Sequence, residues 1–136
     1  MNRSLLALTL LLAAIVPSKA QYVIVDGDTV KLGKQEIRAY GYDAAEIFHP
    51  RCGQEKTLGL QARQLLVSYT AAPHKFRLRY LREKKNHTRV RDKYGRYLAV
   101  YLSDGQDIAS KMIASGTAVP YFGTGARKNW CTASSR

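Results

Sequence analysis

Four carboxylates, Asp26, Asp28, Asp43 and Glu46, fall within 21 residues of a chain that holds only 10 acidic residues against 22 Lys and Arg. Carboxylate oxygens grouped in this way suit a hard divalent cation, Ca2+ or Mg2+, with water completing the coordination shell. The three histidines (His49, His74, His87) and two cysteines lack the spacing of a zinc or copper site. Solvated acids in surface loops are the plainer reading, and spacing alone leaves both open.

The flanks of the acids say more. In "VIVDGDTVKL" (23–32), two aspartates around a glycine interrupt a β-branched run that resumes at once. An Asp-Gly pair ordinarily marks a turn. "SDGQD" (103–107) carries the same arrangement and reads as such, a hairpin turn followed by Asp107 as the cap of a helix. In the first motif no helix follows. If that strand is unbroken, Asp26 and Asp28 share a face with Ile24, Val30 and Leu32. Two like charges there are costly unless a cation compensates them. Arg38 lies five residues before Asp43, an odd separation that puts the two on opposite faces of an ideal strand. For both to serve one site the chain must bend, and Gly41 is where it can.

Positive charge is concentrated elsewhere. "RLRYLREKKNHTRVRDKYGR" (77–96) holds nine Lys or Arg and two acids, with Tyr80 and Tyr94 interleaved. A solvated hairpin is the plainer reading of such a run. Basic surface with aromatics also suits a polyanion, and aromatic rings can stack on unpaired bases. Together the parts suggest phosphate chemistry: a basic patch gathers phosphate, a carboxylate-held cation polarises a phosphoryl oxygen, and arginines stabilise developing charge.

The elements that must position these groups follow from periodicity. Tyr22 to Leu32 and Glu36 to Tyr42 read as strands about a turn at Gly33-Lys34. Leu58, Ala62, Leu65, Leu66 and Tyr69 recur at helical spacing, with Pro73 as the stop. His74 to Leu81 alternates apolar and basic as a half-buried strand, and Tyr97 to Leu102 is another. A second helix puts Ile108, Met112 and Ile113 inward and stops at Gly116. Short strands in this number, with a helix between the third and fourth, suit a small β-barrel such as the OB-fold.

Residues 1–20 read as a cleaved secretory leader. An early cation (Arg3) precedes an apolar stretch from Leu5 to Val16 and a small-residue end at Ser18-Lys19-Ala20. The stretch falls short of the roughly 20 apolar residues that span a bilayer, and no later segment is apolar enough. Residues 21–136 then form one small domain, exported to the periplasm or the medium, with a formal charge lowered from +12 by the loss of Arg3 and Lys19. In an oxidising compartment, Cys52 and Cys131 are expected to pair. In the chain-entropy view, a loop of that size contributes at most about 4 kcal/mol.

Three motifs in order, "VIVDGDTVKL", "IRAYGYDAAE" and "DKYGRYLAVYL", resemble the staphylococcal (micrococcal) nuclease family from about Val23 to Tyr121. The resemblance implies an α+β domain, a five-stranded OB-fold barrel with packed helices, and a Ca2+-dependent phosphodiesterase that acts on DNA and RNA and leaves 3′-phosphates. It implies Asp28 and Asp43 as carboxylate ligands of the metal, the Ala44 carbonyl as another, and Asp26 close by through water. Glu46 would orient or deprotonate the attacking water. Arg38 and Arg96 would grip the scissile phosphate, while Lys93, Tyr94 and Tyr121 contact the nucleotide. A monomer is expected. The chain departs from the family in having Ala44-Ala45 where Thr-Pro is common, and in lacking the final long helix. The Cys52–Cys131 bridge is expected to hold its short tail instead, with Trp130 packed nearby. The competing classes are a non-catalytic nucleic-acid-binding barrel and a cationic domain for envelope lipid or glycan.

Overall fold

The first apolar run folds as a hairpin and not as one long strand. In the computed structural model, which describes residues 21–132, β1 (Tyr22–Ile24) runs antiparallel to β2 (Thr29–Leu32), with Tyr22 opposite Leu32 and Ile24 opposite Val30. The expected unbroken strand from Tyr22 to Leu32 is therefore corrected. The N–H groups of Val25 and Asp26 both donate to the Thr29 carbonyl, at 2.9 and 3.3 Å, which closes a turn over the Asp-Gly-Asp sequence. Turn chemistry wins over the strand preference of the flanks. The expected leader lies outside the described residues.

A second hairpin joins β2 to β3 (Gln35–Ala39), with Leu32 opposite Gln35 across Gly33-Lys34. The strand expected to continue to Tyr42 breaks at Gly41, whose φ of +105° is open to glycine but disfavoured for other residues. Beyond it, β4 (Gly41–Ala44) joins a different sheet and pairs with β8 (Ala118–Tyr121). The main sheet continues with β5 (Phe76–Tyr80) and β6 (Tyr97–Ser103) in the order β1-β2-β3-β6-β5. β3 and β6 are parallel, and the remaining pairs are antiparallel. The short β7 (Gln106–Asp107) turns back on β6 through Asp104-Gly105.

Two helices complete the α+β fold. α1 (Gly53–Thr70) starts a turn before the apolar periodicity and buries Gly59, Ala62 and Leu66. α2 (Ala109–Ala114) starts with Ile108, not Asp107, in the capping position. Asp107 still serves the helix start, because its Oδ1 accepts the Ala109 N–H at 2.8 Å. Val30, Ile37, Leu66, Tyr101, Ile108 and Met112 are fully buried between the curled sheet and the helices. The outward residues of β5, Arg77 and Arg79, are exposed while Phe76, Leu78 and Tyr80 are half-buried, as their alternation predicts. The curled mixed sheet with two packed helices is consistent with the expected OB-fold.

The described chain beyond Tyr121 contains no helix. It is held by the Cys52–Cys131 disulfide, with Cα atoms 6.0 Å apart, and by Trp130, which is buried. Cys52 immediately precedes α1, so the bridge ties the tail to the start of that helix.

Candidate functional site

The site is built on the Asp26–Asp28 turn, and the core holds that turn from behind. Tyr101 donates its hydroxyl to the carbonyls of Asp28 (3.1 Å) and Ile37 (2.6 Å), while the Tyr42 hydroxyl donates to the Gly27 carbonyl at 3.0 Å. Both phenols are buried, and burial keeps them protonated by raising their pKa values well above the ordinary one. α1 presses on the same turn. A Cβ on Gly27 would lie 2.5 Å from the Ala62 Cβ and 2.8 Å from that of Ala44, so only glycine lets the helix approach this closely. One turn earlier in the helix, a Cβ on Gly59 would lie 2.8 Å from the carbonyl oxygens of Ala45 and Glu46.

The two deepest carboxylates are fully engaged. Asp28 Oδ1 accepts from Thr29 Oγ1 at 3.0 Å and Arg38 Nη1 at 3.1 Å, and Oδ2 accepts the Ala44 N–H at 2.9 Å. Asp43, 1% exposed, accepts from Arg38 Nη2. The bend at Gly41 thus does what the odd spacing required, bringing Arg38 and Asp43 together. Burial opposes the charge of Arg38, but Asp28 and Asp43 outweigh it and raise its pKa. Asp26 is half-buried and accepts the Asp28 N–H at 3.0 Å. Burial first, and the neighbouring Asp28 charge second, push its carboxyl up to about 7.

Glu46 has one fixed oxygen. Its Oε1 accepts the N–H groups of Ile47 (3.0 Å) and Phe48 (3.1 Å), while Oε2 lies 4.0 Å from Arg127 Nη1. Asp26, Asp28, Arg38, Ala44, Glu46 and Arg96 line one cavity of about 330 Å3, with Tyr94 at its edge. The structure therefore brings Asp26, Asp28, Arg38, Glu46 and Arg96 together from three separate segments, whereas Asp43, joined to them through Arg38, lines a different small cavity of about 210 Å3 with Glu46, His49 and Arg127. Lys93, Tyr94 and Tyr121 line an adjoining groove of about 520 Å3 that also contains Arg38, Arg96 and Phe122. Tyr94 and Phe122 are 72% and 60% exposed, aromatic faces open to solvent beside a basic wall.

Two residues of the site were missed by sequence reasoning. Asp92 accepts the N–H of Tyr94 and of Arg96 at 2.9 Å each, and Arg96 Nε at 2.8 Å, so it shapes the turn and aims the guanidinium. An Asp two residues before Tyr and four before Arg, around a glycine, was the available signal. The other is Arg127. Its Nη2 and Nε donate to Asp43 Oδ1 (2.8 Å) and Oδ2 (3.0 Å), a bidentate pair, and its Nη1 lies 4.0 Å from Glu46 Oε2. Nothing periodic marks it in a tail rich in glycine.

A curled sheet with two packed helices, an acidic pocket and a basic aromatic groove sets a specific expectation. The profile of the family described as Staphylococcal nuclease homologue matches residues 21–131. The chain belongs to this family. No curated protein matches it. A staphylococcal nuclease homologue is a nuclease-like or nucleic-acid-binding domain, in keeping with the groove. No helix among the described residues is long and apolar enough to cross a membrane.

The family is in general Ca2+-dependent, so the fit of this pocket to that ion matters. Among the described residues no three His, Cys, Asp or Glu side chains converge as a ready-made metal cage. The donors near Asp28 and Asp43 are nonetheless all hard oxygens. Three acids there, Asp28, Asp43 and Glu46, lie beside the guanidinium groups of Arg38 and Arg127, with Asp26 and Arg96 on the same cavity wall. The chemistry of these oxygen donors fits a hard divalent ion.

Proposed function

We propose that this domain is a Ca2+-dependent phosphodiesterase, exported and monomeric, that hydrolyses DNA and RNA and leaves 3′-phosphates. The observation that supports it best is the single cavity lined by Asp26, Asp28, Ala44, Glu46, Arg38 and Arg96. Export is supported by the leader-like layout of residues 1–20 and by the disulfide.

Asp28 and Asp43 would hold the ion with the Ala44 carbonyl, and Asp26 would reach it through water. When bound, the ion supplies Lewis-acid polarisation of a phosphoryl oxygen. The protein's own groups do the rest. Glu46, with Oε1 pinned by two backbone N–H groups, offers Oε2 to take a proton from the attacking water. Arg96 is anchored through Nε to Asp92, which leaves its terminal nitrogens to grip the phosphate and stabilise charge as it develops. Arg38 balances the acids and keeps the loops at fixed separation. Lys93 meets a neighbouring phosphate, while Tyr94 and Tyr121 offer faces to a base.

Digestion of DNA and RNA with Ca2+ or with a chelator, followed by end-group analysis of the products, tests the proposal. Calcium-dependent fragments ending in 3′-phosphate are expected, and their absence refutes it. Glu46→Gln keeps the Oε1 acceptor and is expected to lower kcat about 10²–10⁴-fold with little change in substrate affinity. An unchanged rate removes Glu46 from proton transfer.

A second reading, a domain that binds nucleic acid without cutting it, is favoured by one observation. Arg38 commits both terminal nitrogens to Asp28 and Asp43, and so offers fewer donors to a phosphate. Salt-sensitive binding without cleavage in any divalent ion would select this reading.

A further inference from the structure

Asp43 is buried and carries two guanidinium partners that differ in freedom. The side chain of Arg38 is 11% exposed and is also pinned by Asp28. Arg127 is 44% exposed, reaches in from the tail, and bonds both oxygens of Asp43. Burial opposes its charge, yet the hydrogen bond and charge of Asp43 raise its pKa overall, so it stays cationic.

A buried carboxylate is stable only beside a positive charge. Arg127 supplies one, but with N–H donors on both oxygens it uses the lone pairs that a metal ion would coordinate. The two cations therefore compete for one anion, and only Arg127 has an open route outward. Its hold depends on the tail. Arg127 lies four residues before Cys131, which is bonded to Cys52 beside α1, and Trp130 between them is buried. Thr132 adds a hydrogen bond to Gln54 of the same helix at 2.9 Å. Such a tether raises the effective concentration of the guanidinium at Asp43 without any further contact.

We propose that Arg127 is a tethered counter-ion that a divalent cation must displace from Asp43, and that the Cys52–Cys131 bridge sets how hard it competes. The inference rests on the proposed role of Asp43 as a metal ligand. It makes cation affinity dependent on the redox state of the disulfide, with the reduced protein binding the ion more tightly. Once displaced, Arg127 remains beside Glu46 at the pocket wall, where the cavity lining already places it.

Calorimetric titration of Ca2+ into the full mature chain is the test, with folding of each variant checked by circular dichroism. Arg127→Gln is expected to bind Ca2+ about tenfold more tightly than the wild type, the scale of one charge-assisted bidentate pair. Reducing the disulfide in the wild type should tighten binding by about threefold, since a tether acts only through effective concentration. Reduction should change nothing further in Arg127→Gln, because the competitor is already gone. Arg127→Lys, which keeps the charge without the fork, should fall between the two and serves if the Gln variant does not fold. Equal or weaker binding by Arg127→Gln, or a reduction effect that survives in it, overturns the counter-ion role while leaving the nuclease reading intact. If wild type and variants alike bind no Ca2+ but do bind DNA, the metal role of Asp43 fails and the inference falls with it.

Discussion

Two turns in this molecule share the same short motif and opposite fates. Asp26-Gly27-Asp28 and Asp104-Gly105-Gln106-Asp107 each close a hairpin. At the second, Asp104 and Gly105 adopt left-handed backbone (φ 51° and 79°), no atom approaches the glycine, and both aspartates are exposed. Asp104 there pairs with His74 Nδ1 at 2.6 Å in solvent. At the first, a helix lies against the glycine, two phenols clamp the carbonyls, and Asp28 is 3% exposed with every oxygen engaged. The motif specifies a turn in both places. Burial decides whether its acids are ornaments of the surface or a charge the fold must balance.

That contrast can be broken by substitution, and the largest effect is expected at Asp28. Asp28→Ala leaves Arg38 and the Ala44 N–H without a shared acceptor. It should cost about 3 kcal/mol in urea unfolding measured with chelator present, the lower end for one member of a buried ion pair, because Asp43 still partners Arg38. Asp104→Ala should cost clearly less, since its hydrogen bonds with His74 and the Lys75 N–H are both exposed, and what remains is the backbone strain of alanine at a φ of 51°. Comparable losses at the two sites would erase the distinction.

Gly27→Ala comes next. Its new methyl group meets Ala62 and Ala44 at distances no real contact tolerates, so the helix or the turn must move, at about 2 kcal/mol. Gly105→Ala meets nothing and should cost about 1 kcal/mol, from its left-handed backbone alone. Melting curves of the pair separate crowding from backbone strain, and the reverse ranking would mean that α1 does not bear on the turn.

The smallest effect is one of pH, and its sign differs between the turns. Asp26 has a folded pKa of about 7, above its ordinary 3.8, so the folded chain binds the extra proton between those values. Stability in chelator should therefore fall as pH rises from about 4 to about 7. Asp26→Asn keeps the oxygen that accepts the Asp28 N–H and carries no charge. It should remove that slope and gain about 1 kcal/mol at pH 8, well below the full linkage value, because the group is partly exposed and shares the site with Asp28. At the other turn the Asp104 carboxyl is held below 3.8 by its hydrogen bond from His74. It contributes stability above 3.8 that is lost as pH falls through its depressed value, so Asp104→Asn should lower the profile by a small constant amount above 3.8 and remove the slope at the acid end, where the two proteins converge.

Much of this was legible beforehand, because the motifs pair residue type with spacing. The acids, Arg38 and Arg96 could be named, and the need for a bend at Gly41 followed from parity along a strand. The alternation of β5 and the inward face of α1 followed from their periods. Strand limits around Val25 to Asp28 were misjudged because β-branched flanks and a turn dipeptide compete locally, and only the helix pressing on Gly27 settles the geometry. Arg127 was invisible for a related reason: its partner lies 84 positions away, and a segment without helix or strand has no repeat to betray what its side chains reach.

The close approach of α1 at Gly27 and Gly59 has one more consequence. Ala62 backs the loop bearing Asp26 and Asp28, and Gly59, three positions earlier, backs the loop bearing Glu46. A single coil of this helix thus acts as the gauge block between the loop of Asp26 and Asp28 and the loop of Glu46. Fraying of that coil would unseat both together, so amide exchange along residues 59–62 should track the loss of the assembled pocket more closely than exchange anywhere in the barrel's far strands.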